Sequence, residues 1–563
     1  MIVKTNRFLL IYSVFLLLSP IYAQGDQNEY LDILKTSLNK LNEAYVDSIN
    51  NDELIKSGIH GMLKPLDPYT KLLVGSSKDK LDMLRRGKYS GVGIQIGNIY
   101  DTLTVLNIFE DSPAYSEGLS IGDQIMIIDS TETKGMKISE IVKLIKGEKG
   151  SEVVLHIRRP HTKERIEIAL ARADVSINDV PYYGIDEDGI GYIRITRFSK
   201  NTAKYFRDAL VELNKNPLME GLVIDLRSNS GGLLRNAMNM LDKIIDRNNT
   251  LLETKGKLER QNKVYLSRAK PIVDPSIPIA VLINKSSASA SEIFAGVIQD
   301  YDRGIIIGQK SFGKGLVQSM FNINDTTTLK ITTAKYYLPS GRLIQKQDYM
   351  KDGFFTDGLD KKDTTFVTLK NNRLVSGGGG ITPDIITERT KKSSYINALW
   401  RQKLFLKFSS LYVNNNPSIS APIIITDEIL SDFEVFLKGY ELDYLLPGER
   451  ELTKLEENIS LYSDSKSSNN LLDKVCFWRK PKRERLLKEL QDYYDDEKKS
   501  QFYHLDNKHW VRNGLEREMS MILGGKKEQI RVSLFEDSDY RKAVEILKNS
   551  NKYYDILSKN IIE

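Results

Sequence analysis

Between residues 28 and 62 the apolar positions Leu31, Leu34, Leu38 and Leu41, and then Leu54, Ile55 and Ile59, recur at helical spacing. Two amphipathic helices are predicted, closed by a turn at Leu66-Asp-Pro-Tyr-Thr. From Arg86 to about Ala173 the period changes to short β-type runs punctuated by glycine: Gly91 to Ile96, Leu103 to Phe109, Gln124 to Ile128 and Val153 to Arg158. Brief helical stretches follow Ser112-Pro and occupy Ile138 to Ile145. Strands closing on themselves with two helices at the rim predict a small β-barrel module. Beyond Gly191 strand and helix alternate, as Tyr192 to Ile195, Thr202 to Asn214, Gly221 to Leu226, Leu233 to Ile245, Ile279 to Asn284, Ser291 to Asp300 and Gly304 to Gly308. That is α/β layering. Past Pro383 the texture becomes Lys- and Glu-rich and helical, as in Ile396 to Phe408 and Tyr540 to Leu547. The predicted architecture is an α/β (α+β) core over 174–390, with the β-barrel module inserted at 86–173. An N-terminal helical segment at 24–85 and a mostly helical C-terminal accessory domain at 391–563 complete it.

The first residues suggest export. Lys4 and Arg7 precede a sixteen-residue apolar stretch, Phe8 to Ala23, that ends Ser-Pro-Ile-Tyr-Ala before Gln24. This is the layout of a signal peptide over 1–23, and it falls short of the roughly 20 apolar residues that a membrane anchor needs. No Cys follows it to carry a lipid, so a soluble, periplasmic product is expected after cleavage. The remaining chain is too long for one core and implies several folding units. Cys476 is the only thiol, which excludes an intrachain disulfide framework and a Cys-based zinc site. A formal charge of +6 over 563 residues is mild, and no nucleic-acid partner is expected.

Three segments carry candidate chemistry. In Val281-Leu-Ile-Asn-Lys-Ser-Ser-Ala-Ser-Ala-Ser-Glu-Ile an apolar strand runs through small hydroxyl residues into a helix. Such a turn places a serine and the following amide where unpaired N–H groups favour developing negative charge, although an ordinary N-cap cluster has the same composition. Twenty-five residues after Ser289 lies Lys314, within Phe312-Gly-Lys-Gly-Leu-Val-Gln. If that stretch is extended, Lys314, Leu316 and Gln318 share a face, and the Gln318 amide oxygen can accept from the lysine. A lysine acting as general base must be uncharged, which requires burial; a solvated lysine in a glycine-rich turn is the competing reading. The third segment, Asp225-Leu-Arg-Ser-Asn-Ser-Gly-Gly, ends a strand with paired glycines that can expose a backbone donor, or simply form a βα turn.

The five histidines, His60, His156, His161, His504 and His509, all lie outside the α/β region, and no His-Glu-x-x-His motif exists. A Ser-His-Asp triad and a zinc protease are therefore unsupported, and no cofactor is required. The Ser-x-x-Lys spacings at Ser37 and Ser311 lack the companion motifs of the β-lactamase type.

Taken together, Ser-Ala-Ser-Ala-Ser-Glu, Phe-Gly-Lys-Gly with its following Gln, and Asp-Leu-Arg-x-Asn-x-Gly-Gly resemble the C-terminal processing peptidases, or tail-specific proteases. Gly61-Met-Leu-Lys-Pro-Leu-Asp-Pro-Tyr, Tyr337-Leu-Pro-Ser-Gly-Arg and Gly379-Gly-Ile-Thr-Pro-Asp extend the resemblance over about residues 28–386. It implies a serine endopeptidase with Ser289 as nucleophile, Lys314 as general base and Gln318 orienting the lysine. The amides of Ala290 and Gly231 would form the oxyanion hole, and Glu292 falls on a further functional position of relatives. The β module resembles a PDZ domain whose Gly91-Val-Gly-Ile loop (Gly91, Val92, Gly93, Ile94) receives the terminal carboxylate of unfolded or tailed protein substrates. Lys146 stands where relatives often have Arg, and Ser230 where many have Pro. The helical N- and C-terminal regions are where copies would associate into a homo-oligomer. The alternative is a catalytically silent PDZ scaffold that binds exported protein tails.

Overall fold

A computed structural model describes residues 25–99, 101–160, 164–346, 365–388, 390–464 and 480–558. The expected signal peptide, His161 and Cys476 lie outside the described residues. The chain divides into two compact units, one holding the residues up to Leu73 with Met320–Ile331, the other most of the remainder.

In the first unit, α1 (Gly25–Ala44) and α2 (Asn51–Leu63) are the two expected helices. Asn50 caps α2 by accepting from the Glu53 N–H. The predicted turn closes on Asp67, whose carboxylate accepts the N–H groups of Tyr69 and Thr70 at 2.8 and 2.9 Å. Tyr30, Leu31 and Leu34 remain exposed, so these helices bury little apolar surface of their own.

The second unit begins with the β module. Its sheet runs in chain order through β1 (Ile94–Ile99), β2 (Thr102–Ile108), β3 (Gln124–Ile128), β4 (Glu152–Arg158) and β5 (Arg165–Ala171), and α3 (Ile138–Ile145) packs beside β1. The expected strand Gly91 to Ile96 is broken, because Gly93 takes φ 84° and separates Lys88–Gly91, paired with Ala173–Ser176, from β1. Among the described residues β1 pairs only with β2, which leaves its other edge open.

The core sheet comprises β6 (Tyr182–Ile185), β7 (Ile190–Arg194), β8 (Gly221–Asp225), β9 (Ile279–Ile283), β10 (Ile305–Gly308) and β11 (Ile385–Ile386), in that order. All neighbours from β7 to β11 are parallel and β6 is antiparallel to β7. Every residue of β8, β9 and β10 is buried, as near-continuous apolar runs in a parallel sheet require. One face is covered by α4 (Thr202–Leu213), α5 (Leu234–Leu241) and α6 (Ala290–Asp300). α5 ends four residues before the expected Ile245.

The helices of the C-terminal region pack into two cores. Helices α7 (Ser394–Arg401), α8 (Leu404–Asn415), α9 (Asp427–Leu437) and the first part of α10 (Leu505–Leu534) share an aromatic core built on Phe405, Phe408 and Phe433. At Gly525, with φ 69°, α10 kinks. Beyond that point its end, α11 (Ser538–Leu547) and α12 (Ser550–Ser558) cover the other face of the core sheet, Tyr540, Ile546, Leu547, Tyr553 and Ile556 packing on Tyr192, Val223, Leu282 and Ile307. Amphipathic periodicity announces such helices but not the surface they cover. No helix among the described residues is long and apolar enough to cross a membrane.

Candidate active site

The turn from β9 into α6 is fixed by its small hydroxyl residues. The Ser287 hydroxyl donates to the Leu226 carbonyl and the Ser291 hydroxyl to the Asn229 carbonyl, each at 2.8 Å, which spends both on backbone. Ser289 is different: half-buried, it stands at the N-cap of α6 with φ 55° and ψ −114°. That left-handed conformation costs a non-glycine residue about 1–3 kcal/mol and persists because the surroundings over-determine it. Every residue of α6 is buried, so the helix has no freedom to relax the turn.

The glycine pair after β8 lies against this turn. A Cβ on Gly231 would fall 2.7 Å from the Ala288 carbonyl oxygen and 2.9 Å from Ser289 Cβ. One on Gly232 would fall 2.2 Å from the Phe198 carbonyl oxygen. Only glycine permits so close an approach. The Gly231 N–H, expected to face a developing oxyanion, donates here to Asn229 Oδ1 at 2.9 Å. Asn229 is fully buried, donates through Nδ2 to the Ile195 carbonyl, and accepts the Ala288 N–H on its own carbonyl at 3.0 Å. It ties the two turns together, a role that nothing in its sequence position announced.

Asp225 and Arg227 of the same motif face away from the turn. The Asp225 carboxylate accepts from the Tyr192 hydroxyl and pairs with Arg194 and Arg227, and Arg227 continues to Asp537 and Asp539 beside α11. Burial alone would raise the Asp225 carboxyl, but the two guanidiniums hold it well below the usual carboxylate range. The motif therefore anchors the chain's last helices to the strand that carries the glycine pair.

The lysine segment meets the serine through Glu292. Its buried carboxylate accepts four hydrogen bonds: Ser311 hydroxyl and Gly313 N–H on Oε1, both at 2.6 Å, and Ser289 N–H at 2.7 Å with Lys314 N–H at 2.9 Å on Oε2. One oxygen thus holds the main chains of Ser289 and Lys314 side by side. Lys314 is half-buried and stands two residues before the strand Leu316–Asn322, which carries Gln318. Gln318 Nε2 lies 3.4 Å from the Leu316 carbonyl and 3.5 Å from Thr332 Oγ1. Ser311 is buried against Glu292 and accepts the Ile381 N–H at 2.7 Å, which absorbs the second Ser-x-x-Lys spacing into structure. A glutamate three residues into a helix reads from sequence as a first-turn acid; only the fold reveals the donors converging on it.

Burial pushes the Glu292 carboxyl above its ordinary value, against the pull of its four donors. As pH falls, this group takes up a proton earlier than an ordinary glutamate and sets an O–H against the N–H donors. Glu292→Gln does the same at every pH and leaves buried donors unpaired at about 1–3 kcal/mol each. The expected result is a tenfold or greater fall in kcat with a lower melting temperature, measured by peptide hydrolysis and circular dichroism.

In the β module the Gly91–Ile94 segment leads into the open edge of β1. The carbonyls of Val92 and Gly93 accept from Ala114 and Phe109 at 3.0 and 2.9 Å. Ile94 and Ile96 on β1 pack with Ile138, Ile141 and Ile145 of α3 in the module's core. Arg172 braces the end of α3 by donating to the Leu144 and Ile145 carbonyls at 2.8 and 2.9 Å. Lys146 stands with its Nζ 5.5 Å over the Tyr89 ring.

The chain is similar to known proteins along most of its length. Residues 189–353 match the model of peptidase family S41, 90–170 that of the PDZ domain, and 395–477 a probable PDZ-protease C-terminal helical domain. A carboxy-terminal-processing protease of Bartonella bacilliformis is 31% identical over 390 residues, 68% of this chain and 81% of that one. CtpB, a carboxy-terminal processing protease of Bacillus subtilis, is 30% identical over 333 residues, 58% of this chain and 68% of its own. The solved photosystem II D1 C-terminal processing protease is similar at 26% identity and TM-score 0.34, over 63% of this chain and 88% of that one. The chain is a protease with a PDZ domain, and it belongs to the carboxy-terminal processing proteases of peptidase family S41.

Proposed function

We propose that this protease hydrolyses its substrates through Ser289 and Lys314. The observation that supports the pairing best is the shared Glu292 oxygen, which fixes the two backbones against one another. Uncharged Lys314 takes the proton from Ser289 as Oγ bonds to the scissile carbonyl carbon, and Gln318 orients the lysine. The resulting oxyanion faces the Ala290 N–H at the mouth of α6, joined by the Gly231 N–H once Asn229 releases it. Collapse breaks the C–N bond, and the proton passes from Lys314 to the departing amine. Water then attacks the acyl ester, with Lys314 again as base, and frees the carboxylate and Ser289.

The substrate end is supplied by the PDZ domain. In this reading a protein's terminal carboxylate accepts from the amides of the Gly91–Ile94 loop, and the tail adds to the open edge of β1 with apolar side chains toward α3. The substrates are therefore unfolded or tailed proteins, met after export into the periplasm, and copies of the enzyme associate through its N- or C-terminal helices. Amidating the C-terminus of a peptide substrate with an apolar tail removes the charge the loop would hold, worth about 1.5–3 kcal/mol. Cleavage of the amide is expected to be at least tenfold slower at low substrate concentration. Equal rates for acid and amide would remove tail capture from the account.

A further inference from the structure

The serine and lysine segments are bridged a second time, on the opposite polarity of the backbone. Tyr336 sits near the end of the strand Thr327–Tyr337, opposite Thr254 of the strand Thr250–Gly256, and is 1% exposed within the core. Its hydroxyl donates to the Lys314 carbonyl and lies 3.4 Å from the Ser289 carbonyl oxygen. Its own N–H donates to the Gly315 carbonyl at 3.1 Å. Glu292 gathers the N–H groups of Ser289 and Lys314; Tyr336 gathers their carbonyls.

We propose that the Tyr336 hydroxyl is a positioning group that sets the register of Lys314 on Ser289, an inference that rests on the catalytic reading of those two residues. Two carbonyl oxygens turned toward one point repel each other and, when buried, need a donor. The Ser289 carbonyl already accepts the Ile293 N–H at 2.9 Å, so the hydroxyl supplies its proton to the Lys314 carbonyl and keeps both oxygens within reach of one atom. The ring fixes the distance, because the phenol oxygen stands at the end of a rigid side chain locked in the core. Phenylalanine would keep the ring and lose only the bridge. The lysine segment would keep Glu292, Gln345, whose Oε1 accepts the Gly315 N–H at 2.7 Å, and its backbone bonds to residue 336, Ser287 and Lys346, but the Lys314 carbonyl itself would lose the hydroxyl. A shift of the proton acceptor by a fraction of an ångström is enough to slow transfer, since misplacement by about 1 Å costs on the order of a hundredfold.

The test compares Tyr336→Phe with Tyr301→Phe in the full chain, each assayed where circular dichroism shows it fully folded. Tyr301 is the control because its hydroxyl also donates to a backbone carbonyl, that of Thr250 at 2.8 Å, at the far end of α6. Tyr336→Phe is expected to lower kcat at least tenfold with KM within twofold. The acid limb of its kcat/KM profile should move to higher pH, because a lysine that drifts toward water regains its ordinary affinity for a proton. Tyr301→Phe should leave kcat and the pH profile unchanged. Wild-type kcat and pH profile in Tyr336→Phe would overturn the inference, as would losses in the two variants that simply track their melting temperatures. Ser289→Ala, assayed alongside, separates the two levels: residual activity there defeats the catalytic reading itself, whereas an inactive Ser289→Ala beside a fully active Tyr336→Phe defeats only the role of the tyrosine.

Discussion

Ser289→Ala and Lys314→Ala should each lower kcat for peptide hydrolysis by at least about a thousandfold, and the double variant should be no worse than either. Nucleophile and base act as one unit, so removing either removes the same step. Neither substitution should unfold the protein. Glu292 takes the backbone N–H of each residue, and alanine keeps both bonds. Melting temperatures should therefore stay within a few degrees of wild type, and alanine at 289 inherits the same left-handed strain. Neighbouring serines serve as internal controls. Ser287→Ala and Ser291→Ala remove hydroxyls committed to the Leu226 and Asn229 carbonyls, which should cost stability of about 1 kcal/mol each and leave chemistry in place. Activity retained in Ser289→Ala, with loss confined to Ser287→Ala, would move the nucleophile two residues upstream.

The second large effect concerns the chain's end. Deleting residues 538–558 should leave no folded protease, although these residues lie far along the chain from Ser289. Their side chains Tyr540, Ile546, Leu547, Tyr553, Ile556 and Leu557 are buried against β7, β8, β9 and β10. At about 1.5–3 kcal/mol for each large apolar side chain, the loss reaches or exceeds the 5–15 kcal/mol by which a domain is ordinarily stable. Arg227 would also lose Asp539, and the Ile279 N–H would lose the Tyr553 hydroxyl that accepts from it at 3.1 Å. Expression of the truncated chain, followed by circular dichroism and limited proteolysis, reads the outcome. A soluble truncation with a cooperative transition and wild-type kcat would show that the sheet does not need this layer. A milder form, Leu547→Asp, buries a charge without a partner and should lower the melting temperature with activity falling in step.

Much of this was legible in the sequence because burial on both faces of a parallel sheet leaves continuous apolar runs, and glycine marks sharp turns. The β9 strand, the small-residue turn and helix α6 stand in the sequence almost as they fold, and so does the module between Arg86 and Ala173. The contacts that lock the site together were not legible, although Glu292 had been singled out by the resemblance and Asn229 lay inside a quoted motif. Glu292, Asn229 and Tyr336 act through backbone groups brought to them by different strands, and a pattern along one strand carries no trace of partners supplied by another. The Gly231 amide was anticipated as a free donor because its glycine was visible, while the Asn229 side chain that takes it could be placed only in three dimensions. The motifs ending at Arg342 and Asp384 entered the sequence reading only as pieces of the family resemblance, with no contact assigned to either residue. In the fold Arg342 pairs with buried Asp300 and Arg373 joins Asp302 to Asp384, so both brace the rear of the helix that presents Ser289. Helical texture is the same on both sides of Gly525, where the chain changes the core it serves, so periodicity did not show which surface each helix covers.

The most direct measurement is covalent. A fluorophosphonate carrying a peptide with an apolar tail esterifies an activated serine hydroxyl, and mass spectrometry of the digested protein locates the adduct. The adduct should form on Ser289, vanish in Ser289→Ala and form far more slowly in Lys314→Ala. An adduct on any other serine, or full proteolysis by enzyme whose Ser289 is completely esterified, would contradict the assignment.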